Sequence, residues 1–227
     1  MKIRIDVPCY NRKKITEVCL RQLKDLKSNY DIWTFNDYST DYDNNWLSRW
    51  ADITYQFEGK SNIHHIRSHA YKLFLDSDYD FLYMTDNDAY HDPNFMTELL
   101  NCYNTTGLPA TCFISGYLTQ NFSWYKAKQV TDTVSVMNNA CGGISMFLHR
   151  SHVETIVKKL NGKLFEDMWD CYTWNMLGNK YAITNKSYVE HFGADGMHHK
   201  DFERERAVNP TDYLIEKRDI IIECVKS

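Results

Sequence analysis

The chain has 227 residues, 43% of them hydrophobic and 25% charged, which suits one globular domain with a sizeable core. Its net charge of −4 argues against general affinity for nucleic acid or anionic membrane, and no apolar run approaches the length of a membrane span. Seven cysteines without a Cys-x-x-Cys pair, and no signal-peptide pattern at Met1-Lys2-Ile3-Arg4, lead to the expectation of reduced thiols in the cytoplasm.

The pattern predicts a first strand over residues 3–7, followed by the loop Pro8-Cys9-Tyr10-Asn11-Arg12. Ile15, Val18, Cys19, Leu23 and Leu26 recur at helical spacing and give the first helix. A second strand, Ile32-Trp33-Thr34-Phe35, ends in Asn36-Asp37-Tyr38-Ser39-Thr40-Asp41, a loop rich in turn and helix-capping residues. A short helix over 44–50, an alternating strand over 53–57 and an amphipathic helix over 62–75 follow. Strands alternating with helices mean a mostly parallel sheet with right-handed crossovers.

Phe81-Leu82-Tyr83-Met84 then runs through Thr85 into Asp86-Asn87-Asp88. A short unbroken apolar run is the pattern of a strand buried on both faces. The carboxylates at its end cannot share that burial, because a desolvated unpaired charge is too costly, so they face solvent, a ligand or a cation. In open α/β sheets, ligands bind at the carboxyl ends of the strands. On extended backbone Asp86 and Asp88 share a face and Asn87 points away. Convergent carboxylates repel unless a cation lies near, and as hard oxygen ligands they suit Mg²⁺ or Mn²⁺. The plainer alternative is a surface turn.

In the second half, residues 93–103 form a helix with Pro93 in its first turn. Residues 110–118 and 130–136 alternate as strands, and Gly142-Gly143 precedes a strand over 144–148. Residues 153–160 and 165–177 read as helices, 188–192 as a short strand, 193–209 as a loop, and 211–225 as a closing amphipathic helix. Both halves are expected to share one sheet.

These landmarks, in this order, resemble the nucleotide-sugar glycosyltransferases of the GT-A fold, above all the family-2-like group, and among them virus-encoded members such as those of chlorella viruses. The resemblance rests on Pro8-Cys9-Tyr10-Asn11-Arg12, Asn36-Asp37-Tyr38-Ser39-Thr40-Asp41, Arg67, Asp86-Asn87-Asp88, Gly142-Gly143, Glu166-Asp167 and His191. Asn36 and Tyr38 stand where the group often has Asp and Gly, and His69 where an Asn is common. The resemblance implies an α/β, Rossmann-like single domain with a mixed, mostly parallel sheet flanked by helices. Residues 1–105 would form the nucleotide-binding half and 106–227 the acceptor half.

By the same resemblance Asp88 is the first metal ligand, Asp86 contacts the metal or the ribose, and His191 completes the site. His198 and His199 compete for that place or touch the diphosphate, and a lone histidine with a purely structural role is the plain alternative for His191. A uracil would sit between Pro8 and Tyr10 with Asp37 accepting its N3–H; otherwise Tyr10 is a core aromatic and Asp37 a helix cap. Arg12 and Arg67 are candidates for base or phosphate contacts, since guanidinium binds planar acceptors and phosphate bidentately. Transfer with inversion needs a base for the acceptor hydroxyl. The resemblance assigns it to Asp167, with Glu166 and Asp170 as alternatives; carboxylates at a helix start also simply complement the helix dipole. Gly142 and Gly143 would let substrate approach the backbone, or mark a bulge. Trp124, Trp169 and Trp174 can stack on sugar or fill the core.

The implied activity is metal-dependent, inverting transfer of a hexose from a nucleoside diphosphate sugar, UDP-linked, to a glycan hydroxyl, with Mn²⁺ or Mg²⁺ as cofactor. A nucleotidyltransferase that makes the activated sugar also pairs Asp residues on an α/β sheet, but residues 8–14 lack the glycines of its phosphate loop. A non-catalytic sugar- or nucleotide-binding module is the third reading.

Overall fold

The computed structural model describes residues 1–114, 127–138, 142–192 and 206–226. Their strands are β1 (Ile3–Cys9), β2 (Tyr30–Asn36), β3 (Ile53–Gln56), β4 (Phe81–Thr85), β5 (Ala89–His91), β6 (Ala110–Thr111), β7 (Lys128–Gln129), β8 (Val134–Asn138), β9 (Ser145–His149), β10 (Lys180–Thr184) and β11 (Val189–His191). The helices are α1 (Lys13–Asp25), α2 (Asn44–Leu47), α3 (Ile63–Leu75), α4 (Phe95–Thr106), α5 (Arg150–Leu160), α6 (Trp169–Met176) and α7 (Asp212–Lys226). A nine-stranded sheet runs in the order β3-β2-β1-β4-β9-β6-β10-β8-β7, while β5 and β11 pair separately. Within the described sheet only β9 and β8 run against the other strands. One mixed sheet, mostly parallel in direction, therefore spans both halves of the chain.

Alternation along the central strands sends side chains to two covered faces. Ile3, Ile5 and Val7 of β1 and Phe81 and Tyr83 of β4 pack with Leu20 and Leu23 of α1 and Phe95 and Leu99 of α4. Leu82 and Met84 face the other way, among Tyr71 and Phe74 of α3, Val153 and Ile156 of α5 and Trp174 of α6. Each such aliphatic or Phe side chain contributes about 1.5–3 kcal/mol by leaving water, which is how a periodic pattern becomes two helical layers.

The second face of β1 carries ions where hydrocarbon is expected. Arg4 and Asp6 are both fully buried. Arg4 Nη2 donates to Asp6 Oδ2 at 2.7 Å and to the Ala70 carbonyl of α3 at 2.7 Å, and the guanidinium lies 4.4 Å from the Trp33 ring centroid. Burial pushes the Asp6 carboxyl up, and Arg4 and Arg67 oppose that shift.

Several boundaries differ from the sequence reading. Pro8 lies inside β1, buried and in register with Phe35, beyond the last β1–β4 pair, where a missing N–H costs little. β4 stops at Thr85, and the chain turns at once, with Ala89 N donating to the Asp86 carbonyl at 3.3 Å, so the extended backbone expected through Asp88 is replaced by a turn. The helix expected over 165–177 begins only at Trp169, because Met168 takes a left-handed φ of 37° that breaks it; Glu166 and Asp167 therefore lie in the loop before α6. β5 and β10 have no counterpart in the sequence reading. β10 follows Gly178 and Asn179, whose positive φ angles of 85° and 53° turn the chain directly out of α6. Of the strand expected over 110–118, Ala110–Thr111 is formed, and residues 115–126 lie outside the described residues.

Removing one partner of the buried Arg4–Asp6 pair leaves an uncompensated charge. Arg4→Met is expected to destabilise the fold by about 3–5 kcal/mol, and Arg4→Met with Asp6→Leu to recover most of that loss. Urea denaturation of the two variants and the parent checks this, and equal losses in the single and double variants would contradict it.

Candidate active site

The carboxyl ends of β1, β2 and β4 lie side by side at the point where strand order reverses, the usual ligand crevice of open α/β sheets. The loops leaving them carry Tyr10 to Arg12, Asp37 to Asp41 and Asp86 to Asp88. Side chains join the first two loops. Asn11 Oδ1 accepts from Thr40 N at 2.8 Å, Asn11 N donates to Ser39 Oγ at 2.9 Å, and Ser39 N donates to Asn36 Oδ1 at 2.9 Å. Asn36, in the place of the more common Asp, thus braces the loop. Tyr38 takes a φ of 62°, which a glycine at that place would adopt without strain. Asn11 and Arg12 also take left-handed φ angles of 50° and 61°, and Arg12 N at the start of α1 donates to Asp41 Oδ2 at 2.8 Å.

Arg12 is thereby aimed at the Asp-x-Asp turn. Its Nη1 donates to Asp88 Oδ2 at 2.8 Å, while His191 Nε2 lies 3.3 Å from Asp88 Oδ1. His191 arrives from the far end of the chain because β11 pairs with β5, setting His191 opposite Ala89, and because Phe192 N donates to the Asp88 carbonyl at 2.8 Å. The small sheet is itself anchored to α7, where Arg218 Nε donates to Glu190 Oε2 at 2.9 Å. Burial works to raise the Asp88 carboxyl, but His191 and Arg12 override it and hold it at about 2.

Asp86 has a different environment. Arg67 Nη2 donates to its Oδ1 at 2.9 Å and to the Thr85 carbonyl at 2.7 Å, and Arg67 Nη1 donates to the Asp6 carbonyl at 3.3 Å. Partial burial raises the Asp86 carboxyl, with Arg67 opposing and Asp88 reinforcing the shift. Arg67 is fully buried, so it braces Asp86 from within; the base or phosphate contact expected of it would need a reach to the surface that its burial does not give. Its guanidinium lies 4.8 Å from the Trp169 ring centroid, and a Cβ on Gly143 would collide with that same indole. Gly143 thus makes room for Trp169, while a Cβ on Gly142 would meet none of the described residues. Trp169 and Trp174 are core residues. Glu166 and Asp167 are exposed on the loop just before Trp169, and Asp170 is half-buried in the first turn of α6.

Asp37 is nearly buried, accepting from Ser61 N at 2.6 Å; burial raises its carboxyl, with Ser61 N–H and Lys60 opposing. Lys60 Nζ lies 4.4 Å from the Tyr10 ring centroid. Tyr10, Lys60 and Asp37 therefore gather at one place, from which Pro8 is withheld by its burial in β1. Lys60, Arg4 and Asp6 have no role at the site in the sequence reading. The only signal for the last two was an Arg-x-Asp interrupting an otherwise apolar strand. His198, His199 and Trp124 lie outside the described residues.

Among the described residues no three His, Cys, Asp or Glu side chains gather as a metal-holding group. The donor chemistry nevertheless fits a divalent cation in part. Asp88 offers a hard oxygen beside the His191 imidazole, and the Arg12 guanidinium already sets a positive charge on that carboxylate. Further oxygens would have to come from Asp86 or from a ligand.

His91 supports this ground. It is fully buried on β5, with Nε2 3.2 Å from Tyr83 Oη and Nδ1 3.3 Å from Gln22 Oε1, and burial lowers its pKa from 6.5 to about 3. A depressed pKa means that the unfolded chain takes up the proton first. Stability is therefore full above pH 6.5 and falls as pH drops from 6.5 towards 3, by up to about 1.4 kcal/mol per pH unit for this one group. His91→Gln is expected to flatten the decline of urea-unfolding free energy over that window by one proton; an unchanged slope would contradict it.

Among the described residues no helix is long and apolar enough to cross a membrane. No curated protein sequence matches the chain. Solved structures do. S. aureus TarS 1–349 in complex with UDP-GlcNAc superposes with a TM-score of 0.59 at 18% identity, over 83% of this chain and 58% of that one. The mannosyltransferase PcManGT from Pyrobaculum calidifontis, in complex with GDP-Man and Mn²⁺, gives a TM-score of 0.60 at 13% identity, over 82% and 54%. A197 from STIV gives 0.52 at 15% identity, over 93% and 95%. The chain thus spans a little more than half the length of the first two and shares their fold. The model of the family described as "Glycosyl transferase family 2" matches residues 5–184, most of the chain, and the protein belongs to that family.

Proposed function

We propose that the chain is a glycosyltransferase that moves a hexose from a nucleoside diphosphate sugar to a hydroxyl of a glycan acceptor, with inversion and with the help of Mn²⁺ or Mg²⁺. The observation that carries the reading is Asp88 at the strand-order switch, held ionised between Arg12 and His191. Family membership and two similar folds in complex with UDP-GlcNAc and with GDP-Man and Mn²⁺ support it.

In this reading the nucleotide lies across the ends of β1, β2 and β4, within the half formed by residues 1–105. Tyr10 offers a ring face for the base, and the edge is met by Asp37 and Lys60, a pairing that suits the N3–H and a carbonyl of uracil; a UDP-sugar is the favoured donor. Asp88 and His191 would hold the cation, with Asp86 contributing directly or through the ribose. A bound divalent cation offsets the charge of the leaving diphosphate as a Lewis acid. Gly142, where a Cβ would meet none of the described residues, lies where the acceptor half, residues 106–227, meets the donor. Asp167, exposed on the loop that Trp169 ties to the Arg67–Asp86 brace, takes the proton of the attacking hydroxyl, with Glu166 and Asp170 nearby.

Two measurements test this. Asp88→Ala is expected to abolish Mn²⁺-dependent binding of UDP in calorimetry; parent-like binding would remove Asp88 from the cation site. Asp167→Asn keeps side-chain size and removes proton acceptance, so turnover of a UDP-sugar should fall by about 10²–10⁴-fold while UDP binding holds. Near-parent turnover would move the role to Glu166 or Asp170, and loss of UDP binding would put Asp167 in the donor site.

A further inference from the structure

Both oxygens of Asp88 already face a cationic or imidazole partner in this arrangement. Arg12 Nη1 occupies Oδ2 at 2.8 Å and the His191 imidazole stands 3.3 Å from Oδ1, around a buried carboxylate. A divalent ion on Asp88 would meet the Arg12 guanidinium at contact distance, and two cations in so dry a place repel strongly. The arginine is the partner that can leave. Its side chain is 27% exposed against 9% for that of Asp88, and its Nη2, though buried, makes no hydrogen bond among the described residues. Among the described residues the one side-chain bond that holds the guanidinium is therefore the one to Asp88, whereas the backbone is fixed independently by Asp41 on Arg12 N. Arg67, the other guanidinium at the turn, differs on each point: it is fully buried, its donors are spread over two carbonyls and Asp86, and a tryptophan lies beside it.

From this contrast we infer that Arg12 is a resident cation that occupies the Asp88 site in the free protein and gives it up when a diphosphate arrives. The inference rests on the proposed donor site. It adds an order of events that the donor reading alone does not contain. Without a diphosphate, a divalent ion must displace Arg12 with nothing to receive the guanidinium. With a diphosphate present, Arg12 transfers its fork to phosphate oxygens, a geometry it matches better than a single carboxylate oxygen. The carboxylate is then released to the ion. Metal and nucleotide are thereby made to bind together, and by linkage each strengthens the other by the same factor. The swap also keeps Asp88 neutralised throughout, which a buried carboxylate requires.

The test is Mn²⁺ binding to the full chain, read from the electron paramagnetic resonance signal of the free ion, without nucleotide and with UDP or GDP. Arg12→Gln and Arg12→Met both remove the charge, and Met keeps the apolar stem. Each is expected to bind Mn²⁺ without nucleotide about ten- to a hundredfold more tightly than the parent, the worth of one charge-assisted hydrogen bond. Adding Asp88→Asn to either should erase the gain. The factor by which UDP or GDP tightens Mn²⁺ should shrink in both variants. Parent-like or weaker Mn²⁺ affinity in the nucleotide-free variants, with UDP- or GDP-dependent Mn²⁺ binding intact in the parent, overturns the inference and leaves the donor-site reading standing. Absence of Mn²⁺ binding in the parent with either nucleotide overturns both.

Discussion

A single buried guanidinium ties together the parts on which the crevice depends. Arg67 reaches from α3 between the ends of β1 and β4, bonding the Asp6 carbonyl, the Thr85 carbonyl and the Asp86 carboxylate. On its inner side stands the Arg4–Asp6 pair; on its outer side the chain of charges ends at Asp86. Two cations and two carboxylates therefore alternate from the middle of the sheet to its edge and cancel. An ion inside a dry layer is tolerable only with such compensation, because desolvation costs several kcal/mol per charge while a whole domain of this kind is stable by about 5–15 kcal/mol. The line of charge fixes where Asp86 stands without leaving it to solvent.

The same guanidinium connects the two halves of the chain. Trp169 packs beside it, and Gly143 supplies the room that the indole needs. Trp169 also opens α6, so the loop bearing Glu166 and Asp167 takes its position from a contact with the nucleotide-side brace. A glycine before β9 and a tryptophan at the start of α6 are thus parts of one packing unit. Neither has to touch substrate for its replacement to disturb the site.

The two carboxylates of the turn, two residues apart, are pushed in opposite directions. Asp88 is held low by His191 and Arg12 against its burial, whereas burial, reinforced by Asp88, raises Asp86 against the opposing charges of Arg67 and His191. Neighbouring acids separated in this way can take different tasks, one a permanent anion and the other an adjustable hydrogen-bonding group. The separation comes from distant segments. Arg12 is set by Asp41 from the loop after β2, and His191 by a strand pair formed with β5.

Much of this was legible in the residues. The alternation of apolar strands and amphipathic helices through residue 85 placed β1 to β4, α1 and α3 to within a few positions, since burying one stripe or one face leaves a period in the sequence. The order of Pro8 to Arg12, the Asp37 loop, Asp86-Asn87-Asp88 and the later Gly-Gly and Glu-Asp pairs pointed to the family that the match over residues 5–184 establishes. Tertiary structure alone decided the rest. A period reports which face is buried but not what lies opposite, so it could not say that Arg4 and Asp6 neutralise each other, that Arg67 turns inward, or that Trp169 fills the space at Gly143. β5 holds only three residues, too few to carry a period, and β10 is buried at four successive positions and so shows no alternation; each exists because a neighbouring strand edge accepts it. The meeting of His191 with Asp88 depends on one such pairing. Local sequence fixes backbone preference over a few residues, whereas a charge is placed by whatever opposite charge the completed fold brings within reach.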